Sequence, residues 1–173
     1  MTLSAPQAPT PSRAMARIIG LCAAFAMLVV DQAHKLWMLD IYDITSRQPV
    51  QVLPWLDLVM AWNKGVSYSL LQADSELGRY ALLALTLGAT ALLVIWLWRA
   101  PERLVTFALG LIVGGALGNA IDRALYGAVA DFFHFHIGTF SWYVFNLADV
   151  GIVAGVGLLL YESIFIADKK TAA

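Results

Sequence analysis

The chain has 173 residues, of which 60% are hydrophobic and 13% are charged, and its mean hydropathy is +0.72. Soluble domains carry about 25% charged residues, so this composition excludes an ordinary soluble domain and indicates an integral membrane protein. The net charge of −1 argues against nucleic acid as a partner, because nucleic-acid-binding surfaces are strongly basic.

The first predicted membrane helix follows a polar N-terminal segment. Residues 1–14 are rich in Pro, Ala, Ser and Thr without periodicity, and we expect a disordered tail there. The apolar run that follows leads directly into a polar segment from Asp31 to Lys35, without a small-residue cleavage site, so we expect an uncleaved helix over about 15–38. Asp31 and Lys35 have the i, i+4 spacing of a helical ion pair.

Three further apolar runs cover about 79–98, 104–122 and 143–166. Each approaches or exceeds the ~20 residues that a helix needs to cross the hydrocarbon core. We therefore predict four transmembrane helices in one domain of residues 15–168, followed by a short tail of residues 169–173.

The distribution of Lys and Arg predicts the orientation of these helices, because cytoplasmic segments carry an excess of both. Six of the eleven basic residues fall on one side of a four-helix arrangement: Arg13, Arg17, Arg99, Arg103, Lys169 and Lys170. Both termini are then cytoplasmic. The loops at about 39–78 and 123–142 face outward, into the periplasm if the membrane is a bacterial inner membrane.

The outward loops contain two segments rich in β-forming residues, 57–62 and 132–137. A Gly-Thr pair at 138–139 is suited to turn the second segment back, which predicts a small sheet on the membrane surface. His134 and His136 share one side of that segment, but no third metal ligand is evident, so we predict no metal site. No motif indicates a cofactor.

The third and fourth predicted helices both carry glycines at four-residue spacing, which lets membrane helices approach closely. Gly110, Gly114 and Gly118 lie on the third helix, and Gly151 and Gly155 lie on the fourth. If these two helices pack together, the loop that joins them is held at both ends.

Two carboxylates lie on either side of the chain reversal in that loop. Asp131 follows the outer end of the third helix, and Asp149 lies near the outer end of the fourth. Two carboxylates at one point share a proton, so that one accepts a proton from water and the other donates to a peptide carbonyl oxygen. This pattern favours an aspartic protease. The alternative is two interfacial carboxylates that are solvated or paired with Arg123.

Three polar residues on the third helix precede the two carboxylates in the sequence. Asn119, Asp122 and Arg123 share one helix face by their i, i+3, i+4 spacing. They either orient the catalytic carboxylates and bind substrate, or form a structural cluster in which Asp122 pairs with Arg123 or another base. Asn146 lies three residues before Asp149 and is within reach of its carboxylate.

With these motifs in order, the chain resembles lipoprotein signal peptidase (signal peptidase II), a bacterial inner-membrane aspartic endopeptidase. The resemblance covers about residues 16–166. The motifs that carry it are Asp31-Gln32 with Lys35, Asn63-x-Gly65-x-Ser67-Tyr68, Gly118-Asn119-x-x-Asp122-Arg123, Val129-x-Asp131-Phe132 and Phe145-Asn146-x-Ala148-Asp149.

The resemblance implies cleavage of the signal peptide from diacylglyceryl-modified prolipoproteins, just before the lipidated cysteine, with inhibition by globomycin. The catalytic dyad corresponds to Asp131 and Asp149. The residues that shape the pocket and support the dyad correspond to Asp31, Lys35, Asn63, Gly65, Asn119, Asp122, Arg123, Asn146 and Ala148. The implied partners are lipid-modified substrates and membrane lipids, and we expect a monomer with its active site at the periplasmic face.

The fold that the resemblance implies is an all-α membrane protein of four transmembrane helices, with a small periplasmic β-element and a short surface helix at about 68–77. Two positions depart from the family pattern: Tyr68 stands where Phe is usual, and Val150 stands where a small polar residue often follows the catalytic Asp. Neither change alters the dyad.

Two other functions remain as alternatives. A small ion or proton transporter would use its acids as a relay, but it predicts acids near the middle of the bilayer, whereas those here map to one outer edge. A non-catalytic membrane scaffold would need no paired acids at one depth.

Overall fold

The computed structural model describes residues 12–66, 71–72 and 76–167. The tail expected at 1–14 begins outside these ranges, and the tail at 169–173 lies wholly outside them. The motif positions Ser67 and Tyr68 are also outside.

Helices dominate the described residues. Four helical segments are long and apolar enough to cross a membrane. The helices are α1 (Arg13–Leu36), α2 (Ile44–Arg47), α3 (Glu76–Arg99), α4 (Arg103–Tyr126) and α5 (Leu147–Tyr161); α1 continues as a π-helical turn at Trp37–Ile41, and α5 as another at Glu162–Ala167. The four predicted membrane helices are confirmed.

One predicted boundary was wrong, and part of one predicted helix is not found. The fourth helix begins at Leu147 rather than 143, because the aromatic and β-branched residues before it form a strand and Asn146 caps the helix. The surface helix expected at about 68–77 is absent where the chain is described there: Leu71–Gln72 is a strand, and Glu76 already begins α3. The rest of that range is outside the described residues.

A small antiparallel sheet lies at one end of the helices. Its order is β1-β2-β5-β6, with β1 at Val50–Leu53, β2 at Leu56–Asn63, β5 at Val129–Ile137 and β6 at Phe140–Phe145. A separate pair joins β3 (Gly65–Val66) to β4 (Leu71–Gln72). Gly138 has a φ of 58° between β5 and β6, as a tight hairpin requires, so the predicted sheet and its turn are confirmed.

Helix α4 is the centre of the bundle and packs against α1, α3 and α5. A side chain at Gly114 would collide with the backbone of Ala24 on α1, and one at Gly115 would come within 2.5 Å of the Ala148 carbonyl oxygen on α5. The predicted contact of α4 with α5 is thus present. The stripe that starts at Gly110 and includes Gly114, however, faces α1, where Gly110 meets Gly20.

The strand register brings Asn63, the last residue of β2, close to Asp131 on β5. Ala61 on β2 lies opposite Asp131 on β5, and Asn63 lies opposite Val129. Asn63 and Ala61 project from the same face because side chains alternate along a strand. The Asn63 side chain is therefore a diagonal neighbour of Asp131, within reach across the pair.

Candidate active site

Asp131 is buried on β5 between two amide donors. Asn146 Nδ2 donates to its Oδ1 over 2.7 Å, and Asn63 Nδ2 donates to its Oδ2 over 3.2 Å. The backbone N–H of Gly65 donates to Asn63 Oδ1 over 3.2 Å, which fixes the orientation of that amide. Asn63 and Gly65, both predicted from the sequence, thus act on Asp131 as a unit.

Asp149 lies in the first turn of α5, where it forms a reciprocal capping box with Asn146. The Asn146 backbone N–H donates to Asp149 Oδ2 over 3.1 Å, and the Asp149 N–H donates to Asn146 Oδ1 over 3.0 Å. Asn119 Nδ2 donates to the other oxygen, Oδ1, over 2.9 Å. Negative charge at a helix N-terminus is favourable, so this site suits an ionised carboxylate.

Asn146 joins the two acids, since its side chain contacts Asp131 and its backbone contacts Asp149. Its Nδ2 also lies 3.1 Å from Asn119 Oδ1. Both asparagine amides are therefore oriented by their partners, with their nitrogens directed toward the carboxylates. The structure brings the two sequence-predicted acids together around one buried asparagine.

A buried ion cluster lies behind these amides. Lys35 Nζ is 2.9 Å from Asp31 and 2.8 Å from Asp122, and it donates to Asn119 Oδ1 over 3.1 Å. The predicted Asp31–Lys35 pair is confirmed. Of the partners left open for Asp122, the structure selects Lys35 and not the adjacent Arg123.

The two acids of this cluster also fix backbone near the dyad. Asp31 Oδ1 accepts the Ala148 N–H over 2.9 Å, and Asp122 Oδ2 accepts the Ala130 N–H over 3.1 Å. Ala148 precedes Asp149 and is fully buried. The ion cluster thus anchors the residue before each candidate catalytic acid.

Arg123, on α4, lies beside the two candidate catalytic acids. Its Nη1 donates to the Asn119 carbonyl oxygen over a long 3.4 Å, and its Nε is buried with no hydrogen-bond partner among the described residues. Asp131 and Asp149 are both close enough to interact with its charge.

Burial, and after it the nearby Asp149 carboxylate, raise the pKa of Asp131 to about 7. The amides of Asn63 and Asn146 and the charge of Lys35 act against this rise. The carboxylate pair therefore retains a proton close to neutral pH, as a shared-proton pair requires.

Gln32 and Arg79 were not predicted as site residues, but both side chains contact the site. Gln32 Nε2 donates to Asp31, to Asp122 and to the Gly118 carbonyl oxygen, each over 3.2 Å. Arg79 Nε donates to the Arg123 carbonyl oxygen over 3.0 Å. Gln32 stands beside Asp31 in a motif already noted, whereas Arg79 is signalled only as a lone cation at the start of an apolar run.

An apolar cavity of about 410 Å³ opens beside Asp149. Its other lining residues are apolar: Trp142, Phe145, Val150, Val153 and Ala154. The departure at Val150 therefore lies in the wall of this cavity. A hydrocarbon segment fits such a lining, with one carboxylate at its edge.

The two histidines of β5 have separate partners. His134 Nε2 is 2.7 Å from Ser141 Oγ, and His136 Nε2 is 3.1 Å from Asp57 Oδ2. Across the described ranges, no group of three His, Cys, Asp or Glu side chains has a metal-binding arrangement.

Comparison with known proteins gives one consistent result. The family model for signal peptidase (SPase) II matches residues 23–165. The lipoprotein signal peptidase of Methylocella silvestris is 60% identical over 151 residues, which cover 87% of this chain and 88% of that protein. The lipoprotein signal peptidase of Beijerinckia indica is 60% identical over 147 residues, with 85% and 88% covered.

Solved structures of bacterial membrane enzymes share the fold. One is 26% identical with a TM-score of 0.71, and the match covers 84% of this chain and 89% of that one. A second is 24% identical with a TM-score of 0.73, and the match covers 86% and 94%.

Proposed function

The chain belongs to the signal peptidase II family of aspartic endopeptidases, and from that premise we propose that Asp131 and Asp149 are its catalytic dyad. The proposed reaction removes the signal peptide from a diacylglyceryl-modified prolipoprotein by hydrolysis of the bond before the lipidated cysteine. One observation carries the assignment: a single buried asparagine, Asn146, hydrogen-bonds both acids.

In the proposed mechanism, the pair shares one proton and holds one water. The ionised carboxylate accepts a proton from water as the oxygen attacks the peptide carbonyl carbon. The protonated carboxyl donates its proton to the carbonyl oxygen, which gives a neutral tetrahedral intermediate. Collapse of the intermediate breaks the C–N bond: the newly protonated carboxyl donates its proton to the leaving nitrogen, and the ionised carboxyl accepts the proton of one hydroxyl as the carbonyl re-forms. The pair then again holds one shared proton.

The surrounding residues have supporting roles in this proposal. Asn63, Asn119 and Asn146 orient the carboxylates, and Gly65 orients Asn63. Asp31, Lys35, Asp122 and Ala148 hold the backbone beside the dyad. The buried and unpartnered Nε of Arg123 is available to a substrate carbonyl oxygen.

The membrane is part of the proposed specificity. The apolar cavity next to Asp149 lies on the first turns of α5, so a substrate anchored in the bilayer has a hydrocarbon path to the dyad. Such an anchor restricts the substrate to two dimensions and orients the scissile bond, which lowers the entropic cost of reaching the reactive geometry. We propose a monomer that works alone on this substrate.

The test is cleavage by the purified protein of a lipidated prolipoprotein, with mass spectrometry of the new N-terminus. Cleavage before the lipidated cysteine, blocked by globomycin, supports the proposal. The matched control is the same precursor without its diacylglyceryl group, which we expect to remain intact. Equal cleavage of both precursors would remove the proposed requirement for lipid.

We also propose that the dyad faces the periplasm of a bacterial inner membrane and that both termini are cytoplasmic. Lys64 is exposed next to Asn63, and Arg103 is exposed at the start of α4. Cys22 is the single cysteine of the chain. In a Cys22→Ala background, a membrane-impermeant maleimide should label Lys64→Cys in intact spheroplasts and label Arg103→Cys only after lysis. The reverse pattern would invert the topology.

A further inference from the structure

Arg79 lies on α3 but bonds to the outer end of α4. Its Nε donates to the Arg123 carbonyl oxygen over 3.0 Å, and its Nη2 donates to the Ala124 carbonyl oxygen. Carbonyl groups in the last turn of a helix lack intrahelical partners and carry the negative end of the helix dipole. The guanidinium therefore donates to two carbonyl groups of the last turn and places a matching charge there, although the Arg123 carbonyl oxygen also accepts the N–H of Gly127.

The same side chain covers the turn that follows α4. Gly127 ends the helix with a φ of 76°, and its N–H donates to the Arg123 carbonyl oxygen over 3.1 Å. A Cβ built on Gly127 would lie 3.4–3.5 Å from the side chain of Arg79. Arg79 therefore lies next to the turn and is also bonded to the helix end.

A second anchor holds this turn from inside the bundle. Asp122, paired with Lys35, accepts the N–H of Ala130, the residue immediately before Asp131. The reversal of the chain from α4 into β5 is therefore held by Asp122 on the inner side and by Arg79 on the outer side. The position of Asp131 depends on this reversal.

We propose that Arg79 is a positioning residue: by fixing the turn between α4 and β5, it sets the approach of Asp131 to Asp149. This inference rests on the catalytic role proposed for those two acids. A displacement of about 1 Å in a catalytic group can lower a rate by 10²-fold, so loss of an anchor on this turn affects the reaction before it unfolds the protein.

The chain offers a matched control in Arg17. Its Nε donates to the Trp98 carbonyl oxygen over 2.9 Å, and its guanidinium lies 4.7 Å from the centre of the Trp98 ring. This is the same kind of contact, an arginine bonded to the last turn of a neighbouring helix. It lies at the other end of α3, away from Asp131.

The experiment compares Arg79→Ala, Arg79→Lys and Arg17→Ala with the unaltered protein on a lipidated prolipoprotein. Thermal stability, kcat, KM and the pH profile of kcat are measured for each. We expect both alanine variants to lose stability, but only Arg79→Ala to lose kcat, by about tenfold or more. Arg79→Lys keeps a cation and one donor, so it should recover part of that loss.

The pH profile separates positioning from stability. The charged groups that face Asp131 are Asp149 on α5, Lys35 on α1 and Arg123 on α4, and none of them is altered by these substitutions. Release of the turn should admit water to Asp131 and weaken its coupling to Asp149. The alkaline limb of the Arg79→Ala profile should therefore move to lower pH, whereas that of Arg17→Ala should not move.

Four outcomes oppose the inference. A wild-type kcat and pH profile in Arg79→Ala would overturn the inference but not the proposed function. An equal loss of kcat in Arg17→Ala would do the same. If Arg79→Ala does not fold, Arg79→Lys decides, and an unchanged kcat and pH profile in that variant would overturn the inference. An inactive wild-type protein would overturn both the inference and the proposed function.

Discussion

The side-chain amide of Asn146 lies 2.7 Å from the Asp131 carboxylate, and it belongs to the residue that caps the helix bearing Asp149. Asn146 thus contacts a strand residue through its side chain and also caps a helix. The cap fixes the direction of the Asn146 backbone, and the hydrogen bond to Asp131 fixes the strand relative to that cap. The spacing of the two acids therefore depends on a local capping motif as much as on the packing of the helices.

Replacement of either acid should abolish most of the activity while the protein stays folded. Asp149→Asn and Asp131→Asn each remove one member of the proton-sharing pair, and we expect cleavage of a lipidated prolipoprotein to fall by at least about 10²–10⁴-fold. Thermal unfolding in detergent shows whether each variant remains folded. Substantial activity in a folded Asp149→Asn variant would contradict the dyad assignment.

Asn146→Ser should keep the helix cap and lose the contact with Asp131. Serine caps helices about as well as asparagine, so the stability lost in Asn146→Ser should come from the buried amide contacts and not from the cap, whereas Asn146→Ala should cost a further ~0.5–2 kcal/mol for the cap. Both variants should lose activity, because neither can donate an amide hydrogen to Asp131. Full activity in Asn146→Ser, measured on the same substrate, would assign Asn146 a capping role only.

Much of this site could be predicted from the sequence, because its elements have strong local signals. The hairpin at Gly138 has a turn signal between β-rich segments, and the i, i+4 spacing of Asp31 and Lys35 identifies a pair within one helix. The partner of Asp122 could not be predicted in the same way. Asp122 and Arg123 are adjacent in sequence, but successive helical residues point about 100° apart, so the choice between Arg123 and Lys35 depends on the packing of α1 on α4.

The choice of packing partner for each helix could not be predicted from the local sequence pattern either. Small residues occur on several of these helices, so the sequence does not say which partner the stripe at Gly110 and Gly114 contacts. The start of α5 was misplaced for a related reason. Residues 143–145 are aromatic or β-branched and directly precede the membrane helix, and their place in β6, which pairs with β5, makes them part of a strand.

Cleavage should depend on pH through the shared proton. With the pKa of Asp131 raised to about 7 by burial and by Asp149, the pair loses its proton as the pH rises through that value. We therefore expect kcat to decline on the alkaline side of about pH 7. A rate profile that stays flat to pH 9 would show that the shared proton is not required.

The same pKa predicts a stability effect with a definite sign. The folded-state pKa of Asp131 lies above its ordinary value of 3.8, so protonation favours the folded state. The stability linked to this group is fully present below about pH 3.8 and is lost as the pH rises through about 7. The melting temperature of Asp131→Asn, relative to wild type, should therefore be higher at pH 8.5 than at pH 5, and an equal difference at both pH values would contradict the assignment.

Lys35→Met should be the most destabilising of these substitutions, because it leaves Asp31 and Asp122 as buried charges without a cation. Loss of one partner from a buried ion pair costs about 3–5 kcal/mol. Adding Asp122→Asn removes one of the two uncompensated charges, so the double variant should melt at a higher temperature than Lys35→Met alone. If the second substitution instead lowers the melting temperature further, the two residues are not coupled as an ion pair. Activity should fall in both variants, since Lys35 also orients the amide of Asn119 that donates to Asp149.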